Sequence, residues 1–276
     1  MGDKSAIQWT DATWNPTTGC TKVSAGCDHC YAETLSLRLQ KMGQPKYADG
    51  FAVRTHESAL YQPLSWTKPR RIFVNSMSDV FHAQVPKAFV DRIFAVMALA
   101  PRHTYQLLTK RPERMARYLN DPATPARIDA AILETVPWAY WHGARTWEAL
   151  PWPLPGVWPG TSIEGLPVLH RMAHLGACPA EVRFLSCEPL LGSLGPNIAD
   201  ELAANGIGWV IAGGESGPEH RPVAAEWVIE IRDACEDAGV PFFFKQWGGK
   251  TPKSGGRLLE GREWSEFPAV RAAVAS

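Results

Sequence analysis

The sequence predicts an α/β protein built as a parallel (β/α) TIM-like barrel, complete or incomplete. Three observations carry that expectation. Short β-rich runs alternate with helical stretches along most of the chain, which gives parallel strands joined by right-handed crossovers. The runs are nearly continuous apolar segments of about five residues, as a sheet buried on both faces requires. The length of 276 residues matches the roughly 250 that such a barrel uses.

Taken in order, a first strand is expected near 13–18. Clear runs follow at 71–75 (RIFVN), 103–108 (HTYQLL), 157–161 (VWPGT), 182–186 (VRFLS), 208–212 (GWVIA) and 240–245 (VPFFFK). That makes about seven strands with no obvious eighth, and an open doubly wound sheet is the runner-up. Between the runs, 87–100 places Phe89, Val90, Ile93, Phe94, Val96 and Met97 at helical spacing. A second helical pattern over 225–239 ends on Gly239, where a helix terminus favours a left-handed residue. Two stretches fall outside the repeat. Residues 32–67 read as helix plus loop, and 120–156 is a Trp- and Pro-rich insertion, either a lid or a surface elaboration. A polar extension, 250–276, reads as a short hairpin over one barrel end. The whole is expected to be one domain, 1–276.

Composition narrows the function classes. The 28 basic and 28 acidic residues cancel, so no global field draws the chain to nucleic acid or membrane, although a local basic groove stays open. No apolar run reaches the roughly 18 residues that span a bilayer, and the first residues lack the apolar stretch of a signal peptide. No membrane association and a cytoplasmic, reducing location are therefore expected. There, the six cysteines favour metal binding or catalysis over disulfides. The 12 tryptophans read equally as flat pocket walls or as large core fillers.

Three cysteines cluster as C-x6-C-x2-C: Cys20, Cys27 and Cys30. A four-cysteine zinc site normally supplies two close pairs, and a redox C-x-x-C motif leaves Cys20 unexplained. Three thiolates suit a [4Fe–4S] cluster with one iron left open. Zinc completed by His29 or His56 is the other reading. Gly19 and Gly26 permit a backbone folded closely around such a centre.

NPTTGC at 15–20 and GCDHCYA at 26–32 resemble the N-terminal loop of radical S-adenosylmethionine (SAM) proteins, nearest to the spore-photoproduct-lyase type. With SMSDVF at 76–81, LLTKRPERM at 107–115, FLSCEPLLG at 184–192, AGGESG at 212–217 and PFFFKQWGG at 241–249, nearly the whole chain resembles a phage and bacterial radical-SAM-like family with a three-cysteine motif. The departure is the first gap, six residues where most radical SAM proteins have three. The resemblance implies a radical SAM-type barrel, a [4Fe–4S] cluster on Cys20, Cys27 and Cys30, and SAM chelated at the open iron. One electron then cleaves the sulfonium to a 5′-deoxyadenosyl radical. It also implies a nucleic-acid base or nucleotide as substrate, an electron donor such as flavodoxin or ferredoxin, and a three-Cys-motif partner protein. A small-molecule enzyme and a zinc- or cluster-stabilised, non-catalytic binding module are the alternatives.

In a parallel barrel function collects at the C-terminal strand ends, and this supplies the candidate pocket residues. Ser76, Ser78 and Asp79 stand where related proteins meet the SAM amino group, with helix capping by Ser78 or Asp79 as the plain alternative. Lys110 and Arg111 offer cations for a carboxylate or phosphate, and Lys110 is the catalytic candidate. Ser162 and Glu164 are candidate ribose contacts. Cys187 is a candidate hydrogen-atom donor or else a packed thiol. Gly213, Gly214 and Glu215 are candidates for adenine or carboxylate contact, Tyr31 for packing beside adenine, and Trp247 for stacking on a base.

Overall fold

The computed structural model describes residues 5–135, 149–251 and 254–269. Seven strands lie in strictly sequential order: β1 (Ala12–Trp14), β4 (Arg71–Val74), β5 (Thr104–Thr109), β6 (Val157–Ser162), β7 (Phe184–Cys187), β8 (Trp209–Gly213) and β9 (Phe242–Gln246). Every described pairing among them is parallel. A doubly wound sheet reverses its strand order at a switch point. This sheet does not, so its topology is that of an incomplete parallel barrel, with β1 and β9 at the two ends of the order. No helix among the described residues is long and apolar enough to cross a membrane.

The chain divides into two compact units, 1–21 with 32–158 and 178–181, and 22–31 with 159–177 and 182–276. In the first unit, the strand expected at 13–18 is split. β1 stops at Trp14, and Thr17–Thr18 forms a separate strand, β2, antiparallel to β3 (Arg54–Thr55). Pro16 stands at the break, because it brings no amide to a ladder, while its carbonyl accepts from His56 N at 2.8 Å. The 32–67 stretch holds α1 (Tyr31–Lys41), the short α2 (Glu57–Leu60) and single turns of tighter helix.

Helix α3 (Lys87–Leu99) buries all six apolar residues that its spacing marked. It packs on α5 (Thr124–Thr135), which follows α4 (Pro112–Asn120). The insertion therefore begins as a helix on the core. Residues 136–148 lie outside the described residues, and the chain returns with Trp152 Nε1 donating to Leu119 O at 3.1 Å.

The second unit holds α6 (Arg171–Gly176), α7 (Ile198–Ala204) and α8 (Ala225–Ala238), which ends on Gly239 at φ 65°. The C-terminal extension meets the chain just past the end of β9, where Trp247 N donates to Gly256 O at 3.0 Å. It turns at Leu259–Arg262 and runs antiparallel beside β9, with Phe244 N bonded to Trp264 O at 3.0 Å and Ser265 bridged to Phe243. That covers edge amides which would otherwise template another chain.

Six tryptophans, Trp9, Trp14, Trp66, Trp158, Trp209 and Trp264, are buried core fillers. Trp9 meets Phe73 at 4.7 Å in the first unit, and Trp209 meets Phe184 at 5.8 Å in the second. Each buried ring of this size contributes on the order of 1.5–3 kcal/mol.

β8 and β9 slip register between Ala212 and Gly213, and past the slip the two backbones nearly touch. A Cβ on Gly214 would stand 2.1 Å from Trp247 O, whereas one on Gly192 meets nothing within 4 Å. Gly214→Ala is expected to destabilise the protein by about 1–3 kcal/mol and Gly192→Ala by less than about 0.5 kcal/mol, measured by urea unfolding.

Candidate functional site

In the first unit, the run leading to Cys20 is zipped onto the segment after β4. Asn15 Oδ1 accepts from Met77 N (2.9 Å) and Ser76 Oγ (3.1 Å), Thr17 Oγ1 bonds Ser78 Oγ (3.1 Å) and also Asn75 Nδ2, and Gly19 N donates to Met77 O (3.0 Å). Ser76 and Ser78 thus hold the segment that leads to Cys20. Asp79 is buried and accepts four donors: Phe81 N (2.9 Å) and Thr109 Oγ1 (2.7 Å) on Oδ1, Lys110 N (3.1 Å) and Arg111 Nη1 (2.9 Å) on Oδ2. A buried carboxylate needs such partners. Asp79 bridges the ends of β4 and β5, and it shapes a turn ahead of α3 instead of capping that helix.

Arg111, rather than Lys110, is the cation turned to the cysteine. Its Nη1 lies 3.4 Å from Cys20 Sγ, and its Nη2 donates to Thr21 O and Oγ1, each at 3.1 Å. Lys110 contributes its backbone amide to Asp79. Burial pushes the Cys20 thiol up and Asp79 adds to this, while Arg111 opposes both.

In the second unit, two strand-end carboxylates clamp the loop that carries Cys27 and Cys30. Glu164, two residues beyond β6, accepts from Ser24 Oγ (2.9 Å) on one oxygen and from Arg171 Nη1 (3.1 Å) on the other, and Arg171 also donates to Ser162 O (2.9 Å). Gly26 lies flat on this carboxylate, since a Cβ there would meet Glu164 Oε1 at 2.3 Å. Glu215, two residues beyond β8, bonds His29 Nδ1 (3.0 Å), Arg221 N (2.8 Å), Arg221 Nε (2.9 Å) and Arg221 Nη2 (2.6 Å). Arg221 continues to Ala25 O (3.0 Å) and Asp28 Oδ2 (3.4 Å).

The loop is therefore held through Ser24, Ala25, Asp28 and His29, the residues interleaved with the cysteines. Cys27 is buried, while Cys30 is partly exposed and Tyr31, at 55%, more so.

The remaining candidates are mostly occupied within the protein. Gly213 O accepts from Leu190 N (2.9 Å), and the close approach of Trp247 O accounts for the glycine at 214 without a ligand. Lys245 pairs with Glu188, and Gln246 Nε2 donates to Ser216 Oγ at 2.6 Å. Trp247 Nε1 donates to Leu258 O at 2.8 Å, and its ring stands edge-on to Phe244. Cys187 is fully buried, and burial together with nearby Glu164 pushes its thiol up to about 12, so it stays an S–H group at neutral pH. His56, the alternative zinc ligand, bonds Thr18 Oγ1 at 2.7 Å and is held at about 4 by burial and Lys46.

All three motif cysteines are free thiols, the donor chemistry that a cluster takes. Among the described residues no three His, Cys, Asp or Glu side chains are gathered to hold a metal ion.

Arg111, Arg171, Arg221 and the bond acceptors of the loop are what the sequence reading passed over as anchors. One signal was available: Glu164 and Glu215, each just past a strand, are followed by arginine seven and six residues on.

A model of a protein family described as "Protein of unknown function (DUF5131)" matches residues 4–268. No curated protein and no solved structure matches significantly.

Burial alone would raise the Glu215 carboxyl, but Arg221 and His29 outweigh it and hold it down at about 2. Because the folded value lies below the unfolded one, the stabilisation is present above about pH 4.3 and is lost as pH falls toward the folded value. Glu215→Gln is expected to cost about 1–3 kcal/mol at neutral pH. The gap to wild type should narrow between pH 4.5 and 2 in urea unfolding series.

Proposed function

The chain belongs to the DUF5131 family, and from its own residues we propose a radical SAM-type iron–sulfur enzyme with its cluster on Cys20, Cys27 and Cys30. The observation that carries this reading is the anchoring of the cysteine loop. Two buried carboxylates, Glu164 and Glu215, are committed to a short segment whose chemistry-bearing residues are free thiols. Buried acids are costly unless they are paired and hydrogen-bonded, so their presence argues that the loop must be fixed. Loops positioned by a rigid scaffold are where chemistry is carried. Metal centres depend in the same way on outer partners that orient the ligands.

When bound, the cluster and SAM would supply the radical chemistry; the protein supplies binding and position. Cys20, Cys27 and Cys30 are the ligands in this reading. Asn15, Thr17, Ser76, Ser78 and Asp79 hold the first of these in place, and Ser24 and His29 hold the loop bearing the other two. Cys187 keeps its proton inside the second unit. A one-electron donor such as flavodoxin or ferredoxin follows from the reading. A nucleic-acid base or nucleotide is the substrate class, on the likeness to the spore-photoproduct-lyase type.

One observation favours a second reading, a metal-stabilised module that works with a partner protein. Ser76, Ser78, Asp79, Glu164 and Glu215 already have partners inside the protein. In that reading the thiols hold zinc and nothing is turned over.

Anaerobically prepared full-length protein separates the two. The enzyme is expected to be brown, to contain iron and acid-labile sulfide in equal amounts, and to release 5′-deoxyadenosine from SAM on reduction. Cys27→Ala should lose all three. Colourless, zinc-containing protein that leaves SAM intact would establish the module instead.

A further inference from the structure

Lys245 lies at a break in the ladder between β8 and β9. Ala212 pairs with Phe244 but Gly213 pairs with Gln246, so Lys245 is the extra residue of a β-bulge. Bulges are rare between parallel strands, and beside functional sites they re-aim a side chain. This one is pinned on both sides. Phe244 N donates to Trp264 O at 3.0 Å, Gly214 N to Gln246 O at 2.9 Å, and Gln246 Nε2 to Ser216 Oγ at 2.6 Å.

The ammonium meets Glu188, one residue beyond β7, so the pair reaches across the end of β8. Gly213 lies against it: a Cβ there would stand 3.4 Å from Lys245 Cβ and 3.7 Å from Glu188 Cδ. All of these residues belong to the second unit. They sit at the C-terminal ends of parallel strands, where such sheets bind ligands.

As a structural device the pair is underused. Its side chains are 17% and 20% exposed, and a largely buried ion pair adds little stability over apolar groups of the same size. An ammonium has three donors and a carboxylate two oxygens. One of each is spent on the pair, and among the described residues the other Nζ donors and Glu188 Oε2 meet no partner. Glu164 and Glu215, by contrast, use both oxygens.

Spare donors beside a spare acceptor, in a pair of zero net charge, select a class of ligand group. A simple anion satisfies Lys245 and is repelled by Glu188, and a cation does the reverse. A neutral group with an N–H and a C=O on one edge satisfies both. Primary carboxamides and the lactam edges of uracil and guanine have that edge, whereas a trans peptide bond directs the two groups oppositely.

We propose that Lys245 and Glu188 form a binding site for an amide-type edge, carried by a nucleobase or by a carboxamide. The site does not depend on the metal reading of the cysteines.

The test uses the full chain without added metal, as wild type, Lys245→Met and the double variant Lys245→Met/Glu188→Leu. Isothermal titration calorimetry reads the binding of uridine, nicotinamide and inorganic phosphate. It also reads 3-methyluridine and N,N-dimethylnicotinamide, which keep a carbonyl but lack the N–H. Urea unfolding reads stability.

Uridine or nicotinamide is expected to bind the wild type, and which of them does so identifies the source of the edge. Its methylated counterpart and both variants should bind about ten- to a hundredfold more weakly, as for loss of a hydrogen bond to a charged group. Lys245→Met leaves a carboxylate unpaired; if it does not fold, the double variant, with no charge left over, carries the comparison at a wild-type or higher urea midpoint. Equal binding by the double variant or by the methylated counterpart overturns the inference. So does phosphate binding that is lost with Lys245, or no binding of either ligand at millimolar concentration. Iron content and SAM cleavage are read separately, so a colourless zinc protein that still bound uridine would sink the enzyme reading and leave this site standing.

Discussion

Burying a carboxylate is the constraint from which the rest of the candidate site follows. Asp79 in the first unit and Glu164 and Glu215 in the second lie near strand ends, nearly out of contact with water. An acid in such a place has to find donors or give up its charge. Asp79 finds them across two strand ends and in Arg111. Glu164 and Glu215 find them in an arginine a few residues on and in the loop between Cys20 and Tyr31. The acids therefore convert a glycine-containing segment, free to take many conformations, into one of fixed course, and that segment bears the thiols.

The fold was largely legible because its signals are local. Six of the seven apolar runs became strands within a residue or two, and the spacing of Phe89, Val90, Ile93, Phe94, Val96 and Met97 marked the buried face of α3. The first strand was misjudged because Thr17 and Thr18 are as β-prone as Thr13, and the break depends on Pro16 together with a distant partner, Arg54–Thr55. The course of the C-terminal extension also depends on distant partners. Its antiparallel course beside β9 is a long-range pairing that no local pattern encodes.

The site was legible as a set of residues but not as a set of roles. Position at strand ends picked out Ser76, Ser78, Asp79, Glu164 and Glu215, and the structure gives every one of them a structural bond. Sequence position cannot say whether a polar side chain faces a ligand or a loop, since either satisfies its donors and acceptors. The same holds for Gly214, where the close approach implied by glycine is met by the Trp247 carbonyl. Arg111 and Lys110 are adjacent cations in sequence, and only the geometry of Asp79 separates the one that reaches sulfur.

In the proposed enzyme the three motif thiols serve one iron–sulfur centre with an open coordination position. Electron paramagnetic resonance of the reduced, anaerobically prepared chain, recorded before and after adding SAM, addresses it most directly. The expected result is the signal of a reduced cubane cluster whose shape changes when SAM is added. A cluster signal indifferent to SAM, or silence from a protein that carries zinc, would contradict it.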